Sequence, residues 1–309
     1  MIIIKLIQNG KIIIEDNFGK LFKIEPNEKF NFGYILFIPK NINKEPTLIV
    51  EGLNTGTCSE YEKAVIEIYE TAVKDLKPGR FPFFLSQDLG YPIMIPLFPR
   101  TYVDNKAIYT HALSSDTLKI TDHILQGIDL QLIEMIESAK QFLLKIDIKV
   151  KEKIIIDGFS ASGKFANRFT LLHPHIVKIC IAGGVGGAPT LPIREYDNKE
   201  IIYPIGMYDI LDFDFHEFSK VAVFYYMGQL DENDSSLYET AYKPNEKNLL
   251  DNILGENMMP DKWEKSKLIH KELNLKNIRF KTYTNYGHTR RPVLGDVIKF
   301  IKESENIIK

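Results

Sequence analysis

Cysteine is scarce in this 309-residue chain: there are two, Cys58 and Cys180. They form no C-x-x-C pair, which argues against the usual zinc frameworks and leaves a disulfide neither required nor implied. Cys180 sits in the apolar run VKICIAGG and reads as a small core hydrophobe. Long apolar runs are also missing. None reaches the roughly 20 residues that cross a bilayer, so no membrane span is expected. The opening MIIIKLIQNGKIIIED is apolar only briefly, with no basic leader and no small-residue cleavage site, and a cytoplasmic protein is the expectation. Nor is there an excess of one charge: 39 Lys and Arg face 41 Asp and Glu, a formal net charge of −2. The lysines are interspersed with acids, so bulk electrostatics favours neither nucleic acid nor an anionic membrane. Internal repeats and low-complexity tracts are absent, and nothing specifies an oligomeric state.

What is present is enough apolar material, 44% of residues, for a sizeable buried core. Asn9-Gly10 between two Ile-rich runs reads as a β-hairpin turn. GYILFIP, PTLIV, YPIMIPLFP, KIIID, VKICIAGG, VAVFYYMG and IRFKTYT read as further strands. Helical spacing marks residues 59–76, 124–146, 162–174, a long polar region after residue 234, and GDVIKFIKE near the end. From residue 47 onward strand and helix alternate, and the strands are continuous apolar runs. That pattern predicts an α/β fold with a mostly parallel sheet, helices on both faces, and antiparallel strands at the N-terminal edge. Residues 185–219, containing GGVGGAPTLP, have no clear period and read as an insertion over the carboxyl edge, where open α/β sheets bind ligands.

The decisive stretch is KIIIDGFSASGKFANRF, residues 153–169. One reading is a phosphate loop, G-x-x-x-x-G-K, from Gly158 to Lys164. That loop needs a Ser or Thr after the lysine to hold magnesium, and this chain has Phe165. The other reading is a strand–turn–helix elbow presenting a serine. Such a turn demands small residues two before and two after the nucleophile, because their side chains crowd the bend. Centred on Ser160, the flanks are Gly158 and Ser162, and both pass. Centred on Ser162, the second flank is Lys164, which fails. A tight turn without chemistry is the plain alternative.

A serine needs a base. Of seven histidines, His288 in NYGHTRRP has the most suggestive setting, a glycine-turned loop after the strand IRFKTYT; an exposed loop histidine is the alternative. His173 and His175 flank Pro174 at a helix end and fit surface or dipole-capping roles. His123, His216 and His270 lie in polar or helical contexts, and His111 is placed to line a pocket. The acid that orients the base is sought in GQLDENDSS after VAVFYYMG. Asp231 is preferred because it sits at the strand end, while Asp234 is suited to cap the following helix. The order Ser160, Asp231, His288 places three weak signals on successive strand ends. Two backbone N–H donors complete the set: Ala161 after the serine, and Leu53 or Asn54 in the loop VEGLNTGT. An ordinary strand–helix loop is the alternative there.

On IIIDGFSASG, YYMGQLDEND and NYGHT, and on LIVEGLNTG, residues 34–305 resemble the α/β-hydrolase superfamily, nearest its bacterial esterase-like and polyhydroxybutyrate-depolymerase-like members. The resemblance implies an eight-stranded sheet, a serine nucleophile, no cofactor and a small-molecule ester substrate. It implies a single α/β-hydrolase domain over residues 1–309, with residues 1–33 as an N-terminal β-hairpin extension. Two departures stand out: Glu51-Gly52 where many members have His-Gly, and Ser162 where Gly is usual. A non-catalytic binding protein on the same fold is the alternative. Tyr109 and His111, with Tyr102, are candidates to line the substrate pocket; Arg100 could bind a substrate carboxylate there, but pairing with a surface acid is the preferred reading.

Overall fold

The computed structural model describes residues 10–54, 56 and 58–307. In chain order the strands are β1 (Gly10–Glu15), β2 (Gly19–Ile24), β3 (Tyr34–Pro39), β4 (Ile49–Glu51), β5 (Ile93–Pro96), the short pair β6 (Tyr102–Val103) and β7 (Lys106–Ala107), β8 (Ile154–Phe159), β9 (Val177–Gly183), the short pair β10 (Glu195–Tyr196) and β11 (Lys199–Glu200), β12 (Ala222–Gly228) and β13 (Ile278–Tyr283). The helices are α1 (Tyr61–Asp75), α2 (Phe81–Leu89), α3 (Ile128–Lys145), α4 (Ala161–Leu172), α5 (Phe215–Phe218), α6 (Pro244–Leu254), α7 (Trp263–Glu272) and α8 (Leu294–Ile307).

Nine of the described strands form one sheet in the order β1-β2-β3-β5-β4-β8-β9-β12-β13. The six from β5 to β13 run parallel, and β1, β2 and β3 add an antiparallel edge. The resemblance implied eight strands, and the sheet has nine. Within the described residues, a hairpin joins β1 to β2. Its bend is Asp16–Phe18, where Asp16 Oδ1 accepts the N–H groups of Phe18 at 2.8 Å and Gly19 at 3.2 Å, the side-chain turn typical of Asp. Asn9 and the run before it lie outside the described residues.

The parallel strands are buried on both faces, and alternate residues divide between two cores. Ile154 and Ile156 of β8, with Tyr225 and Met227 of β12, join one core, built on Leu132 and Met135 of α3, Phe165 and Phe169 of α4, and Trp263. Ile155, Phe224 and Tyr226 join the other, with Ile68 of α1, Phe83 of α2, and Val297 and Phe300 of α8. Each fully buried isoleucine of this kind contributes about 2 kcal/mol. This is why the strands read as continuous apolar runs. A third core, of residues including Leu191, Ile193, Ile201, Leu250 and Ile269, joins the 185–219 segment to α6 and α7, with Tyr109 and Ala161 at its border. The central β4 and β8 carry their carboxyl ends, and the loops that follow, to one edge of the sheet.

Candidate active site

β8 ends in a bend that only small residues permit. Ser160 has φ 65° and ψ −126° between β8 and α4, a backbone conformation that costs an L-residue of order 1–3 kcal/mol. A Cβ at Gly158 would lie 2.1 Å from the Ser162 carbonyl oxygen. One at Gly163 would lie 2.5 Å from the Gly183 carbonyl oxygen, so α4 rests directly on β9. Ser162, standing where glycine was expected, closes the turn itself. Its Oγ accepts the Phe159 N–H at 3.0 Å and lies 2.9 Å from the Phe159 carbonyl, to which it donates. Facing it, Gly52 has no room for a side chain, because the Ser162 Cβ is 2.9 Å from where its Cβ would be. Lys164, the lysine of the phosphate-loop pattern, is 1% exposed and donates to the Tyr242 hydroxyl beneath α4, so it does not reach the mouth of the turn.

The loops after β12 and β13 are laced together. Gln229 N–H donates to Tyr283 O at 2.9 Å, and Leu230 N–H to Tyr286 O at 2.8 Å. A Cβ on Gly228 would meet the Gly287 carbonyl oxygen at 2.3 Å. This close approach brings Asp231 and His288 together. His288 Nδ1 lies 2.8 Å from Asp231 Oδ2, and the other carboxylate oxygen accepts the Asn233 N–H at 3.0 Å. Asp231 is buried. Asp234 instead accepts the Ser236 N–H at 2.8 Å, capping a short 3₁₀ turn, and lies 3.4 Å from Lys262. The imidazole packs on the Phe159 ring, centroids 4.5 Å apart. The Asn233 carboxamide occupies the space between the two reactive candidates: its Nδ2 is 3.3 Å from Ser160 Oγ and 3.1 Å from His288 Nε2. Sequence reasoning missed Asn233; its position two residues past Asp231 was the available signal.

Ser160, His288 and Asn233 open into a cleft of about 690 Å³, whose walls include Leu53, Asn54, Arg100, Tyr109 and Tyr238. Ala161 is the first residue of α4, so its N–H is free of the helix ladder. Arg100, Tyr109, Leu53 and Asn54 all line this cleft. His111 does not. It is 4% exposed, its Nε2 lies 2.9 Å from the Phe98 carbonyl oxygen, and it borders a separate void of about 20 Å³ behind Gly52 and Leu53. Burial lowers its pKa to about 4, so it is a neutral core residue. The exposed Tyr102 of β6 also stands outside the cleft. No residue of 185–219 lines it either. That segment packs into the third core, because its Leu191, Ile193 and Ile201 are fully or nearly fully buried there.

Under the cleft lies an ionic group that the sequence reading did not assemble. Glu51 and Asp157 are direct partners in the β4–β8 register and are 2% and 0% exposed. Like charges facing each other across a strand pair repel. Arg290, two residues beyond His288, bridges them: Nη1 donates to Glu51 Oε1 at 2.6 Å and Nη2 to Asp157 Oδ2. The guanidinium lies over the Phe81 ring, 3.7 Å from its centroid. One cation between two buried carboxyls leaves a charge too many. Burial, with the adjacent Asp157 charge, holds the Glu51 carboxyl well above the usual range despite Arg290. Glu51 Oε2 and Asp157 Oδ1 are buried without a donor among the described residues. A protonated Glu51 carboxyl would supply that donor. Here is the physical counterpart of the Glu51-Gly52 departure.

No family model matches this sequence, and no curated protein matches it. Solved structures do. A poly(aspartic acid) hydrolase-1 from Sphingomonas sp. KT-1 matches at TM-score 0.57 and 14% identity, over 95% of this chain and 98% of that one. A poly(3-hydroxybutyrate) depolymerase, LpqC, from Bordetella parapertussis matches at 0.54 and 13%, over 92% and 88%. An S-formylglutathione hydrolase from Agrobacterium tumefaciens matches at 0.50 and 13%, over 97% and 99%. Each likeness runs nearly the full length of both chains. With this sheet order, its antiparallel edge and the elbow after its central strand, the chain has the α/β-hydrolase fold.

Proposed function

We propose that this protein is a serine hydrolase that cleaves a carboxylic ester through an acyl-enzyme intermediate. The observation that carries the reading is the positive φ of Ser160 at the strand–helix bend, with the imidazole of His288, anchored on Asp231, in the same cleft. A strained backbone at the mouth of a cleft is costly, and presenting a nucleophile accounts for it.

In this mechanism the Asp231 carboxylate accepts the His288 Nδ1–H, which leaves Nε2 unprotonated and facing Ser160. The Asn233 carboxamide moves aside as the substrate enters, and the Ser160 hydroxyl proton passes to Nε2 as Oγ attacks the carbonyl. The Ala161 N–H, with one from Leu53 or Asn54, takes the developing oxyanion. His288 then gives its proton to the leaving alcohol. Water, deprotonated by the same imidazole, releases the acid and restores Ser160. The neighbours' names cover hydrolysis of poly(aspartic acid), poly(3-hydroxybutyrate) and S-formylglutathione, so the ester is chosen here on the site's chemistry.

The test is turnover of a short-chain p-nitrophenyl ester. Ser160→Ala is expected to lose on the order of 10⁵-fold in kcat while remaining folded; full activity in that variant ends the assignment. A second reading, a binding protein that kept the fold without catalysis, draws on Asn233 standing between Ser160 and His288. Turnover by the wild type excludes it.

A further inference from the structure

The cleft holds two arginines in opposite circumstances. Arg290 is ion-paired with both Glu51 and Asp157, although its Nε, like that of Arg100, is buried without an acceptor. Arg100 has no Asp or Glu within ion-pair distance among the described residues, so the surface acid that the sequence allowed as its partner is not there. The remaining cleft acid, Asp75, leans toward Arg80 at 4.0 Å.

Arg100 is nevertheless built in rather than loose. Its carbonyl accepts the Ser59 N–H at 3.0 Å, which fixes the backbone. Its guanidinium lies 4.6 Å from the centroid of the nearly buried Tyr109 ring. Nη1 donates to the Gly56 carbonyl oxygen. That leaves the Nε–Nη2 edge. Nε is buried with no acceptor, and Nη2 has none among the described residues. Burial lowers the Arg100 pKa with no carboxylate nearby to oppose it. A partly buried guanidinium that is oriented by an aromatic face, tethered on one side and unsatisfied on the other is costly to maintain. A substrate carboxylate in the cleft would supply the acceptor that Nη2 lacks.

We propose that Arg100 recognises a carboxylate on the substrate, so that the preferred ester is an anionic one. The inference rests on the serine hydrolase reading above and deepens it. The carboxylate is carried either by the acyl group or by the leaving group, and two probes separate these sources. p-Nitrophenyl hemisuccinate carries it on the acyl side, and 4-acetoxybenzoate on the leaving side. p-Nitrophenyl butyrate and phenyl acetate are the neutral counterparts.

The wild type is expected to prefer one anionic ester over its neutral counterpart in kcat/KM. Arg100→Gln, which keeps a donor for Gly56, is expected to erase that preference by about tenfold or more, the worth of a charged hydrogen bond. Any loss on the neutral esters is expected to be smaller than on the anionic one, and an unchanged unfolding midpoint by Trp263 fluorescence shows that the variant is folded. Arg100→Lys keeps the charge without the fork and is expected to fall between them. A wild type that hydrolyses neutral esters without any anionic preference overturns the Arg100 assignment and leaves the hydrolase reading standing. So does an Arg100→Gln variant that loses both substrates equally or neither. A wild type that hydrolyses none of the four esters overturns both.

Discussion

Arg290 Nη1 donates to Glu51 Oε1 at 2.6 Å, joining the loop that carries His288 to the end of the central strand β4. The same guanidinium reaches Asp157, three residues before Ser160. The loops bearing the proposed nucleophile, base and oxyanion donors therefore share one partly buried cation.

Removing that cation strands two buried carboxyls. Arg290→Met is expected to destabilise the fold by about 3 kcal/mol, the scale for breaking a buried ion pair. The single tryptophan, Trp263, is fully buried and donates to Thr282 Oγ1 at 2.9 Å, so its fluorescence in a urea titration reads the loss. An unchanged midpoint contradicts the bridge.

Glu51 gives the stability a pH dependence whose sign follows from its raised pKa. An ordinary glutamate ionises from about pH 4, so above that pH the unfolded chain releases this proton more readily than the folded one. The folded state then loses stability as pH rises, until Glu51 itself ionises at its higher value. Glu51→Gln mimics the protonated acid and removes this slope. The variant and the wild type are expected to be about equally stable near pH 4, and the variant relatively more stable with rising pH. Parallel curves across that range contradict a protonated Glu51.

The Asn233 carboxamide lies between Ser160 Oγ and His288 Nε2. If it merely covers the pair at rest, Asn233→Ala keeps or increases the rate of inactivation by a small fluorophosphonate, which needs little recognition. That is the expected result. A drop of about a hundredfold, the scale of a missing catalytic group, would make the amide part of the machinery.

The elbow was legible because its requirement is steric. Small residues at 158 and 162 can be counted in the text, and the same count rejected Ser162. Asp231 was separable from Asp234 because one stands at a strand end and the other before a helical turn. The two-faced sheet was legible from unbroken apolar strands. Other features depend on neighbours that sequence order does not reveal. The bend at Asp16–Phe18 was not read, because its turn bonds come from a side chain rather than from a glycine dipeptide. His111 looked like a pocket residue because nothing local encodes the packing around Phe98 that buries it. Glu51 and Asp157 each read as an acid ending an apolar strand. Only the β4–β8 register sets them side by side, and Arg290 joins them from more than 130 residues downstream. The 185–219 segment follows β9 at the carboxyl edge, but its apolar residues are spent on α6 and α7 rather than on the cleft.

Labelling of the folded protein with a fluorophosphonate, followed by peptide mapping, bears most directly on the proposed chemistry. A nucleophile activated by His288 and Asp231 predicts one adduct, on Ser160, that is lost when His288 is replaced by alanine. No adduct on the native protein, or an adduct on another residue, contradicts it.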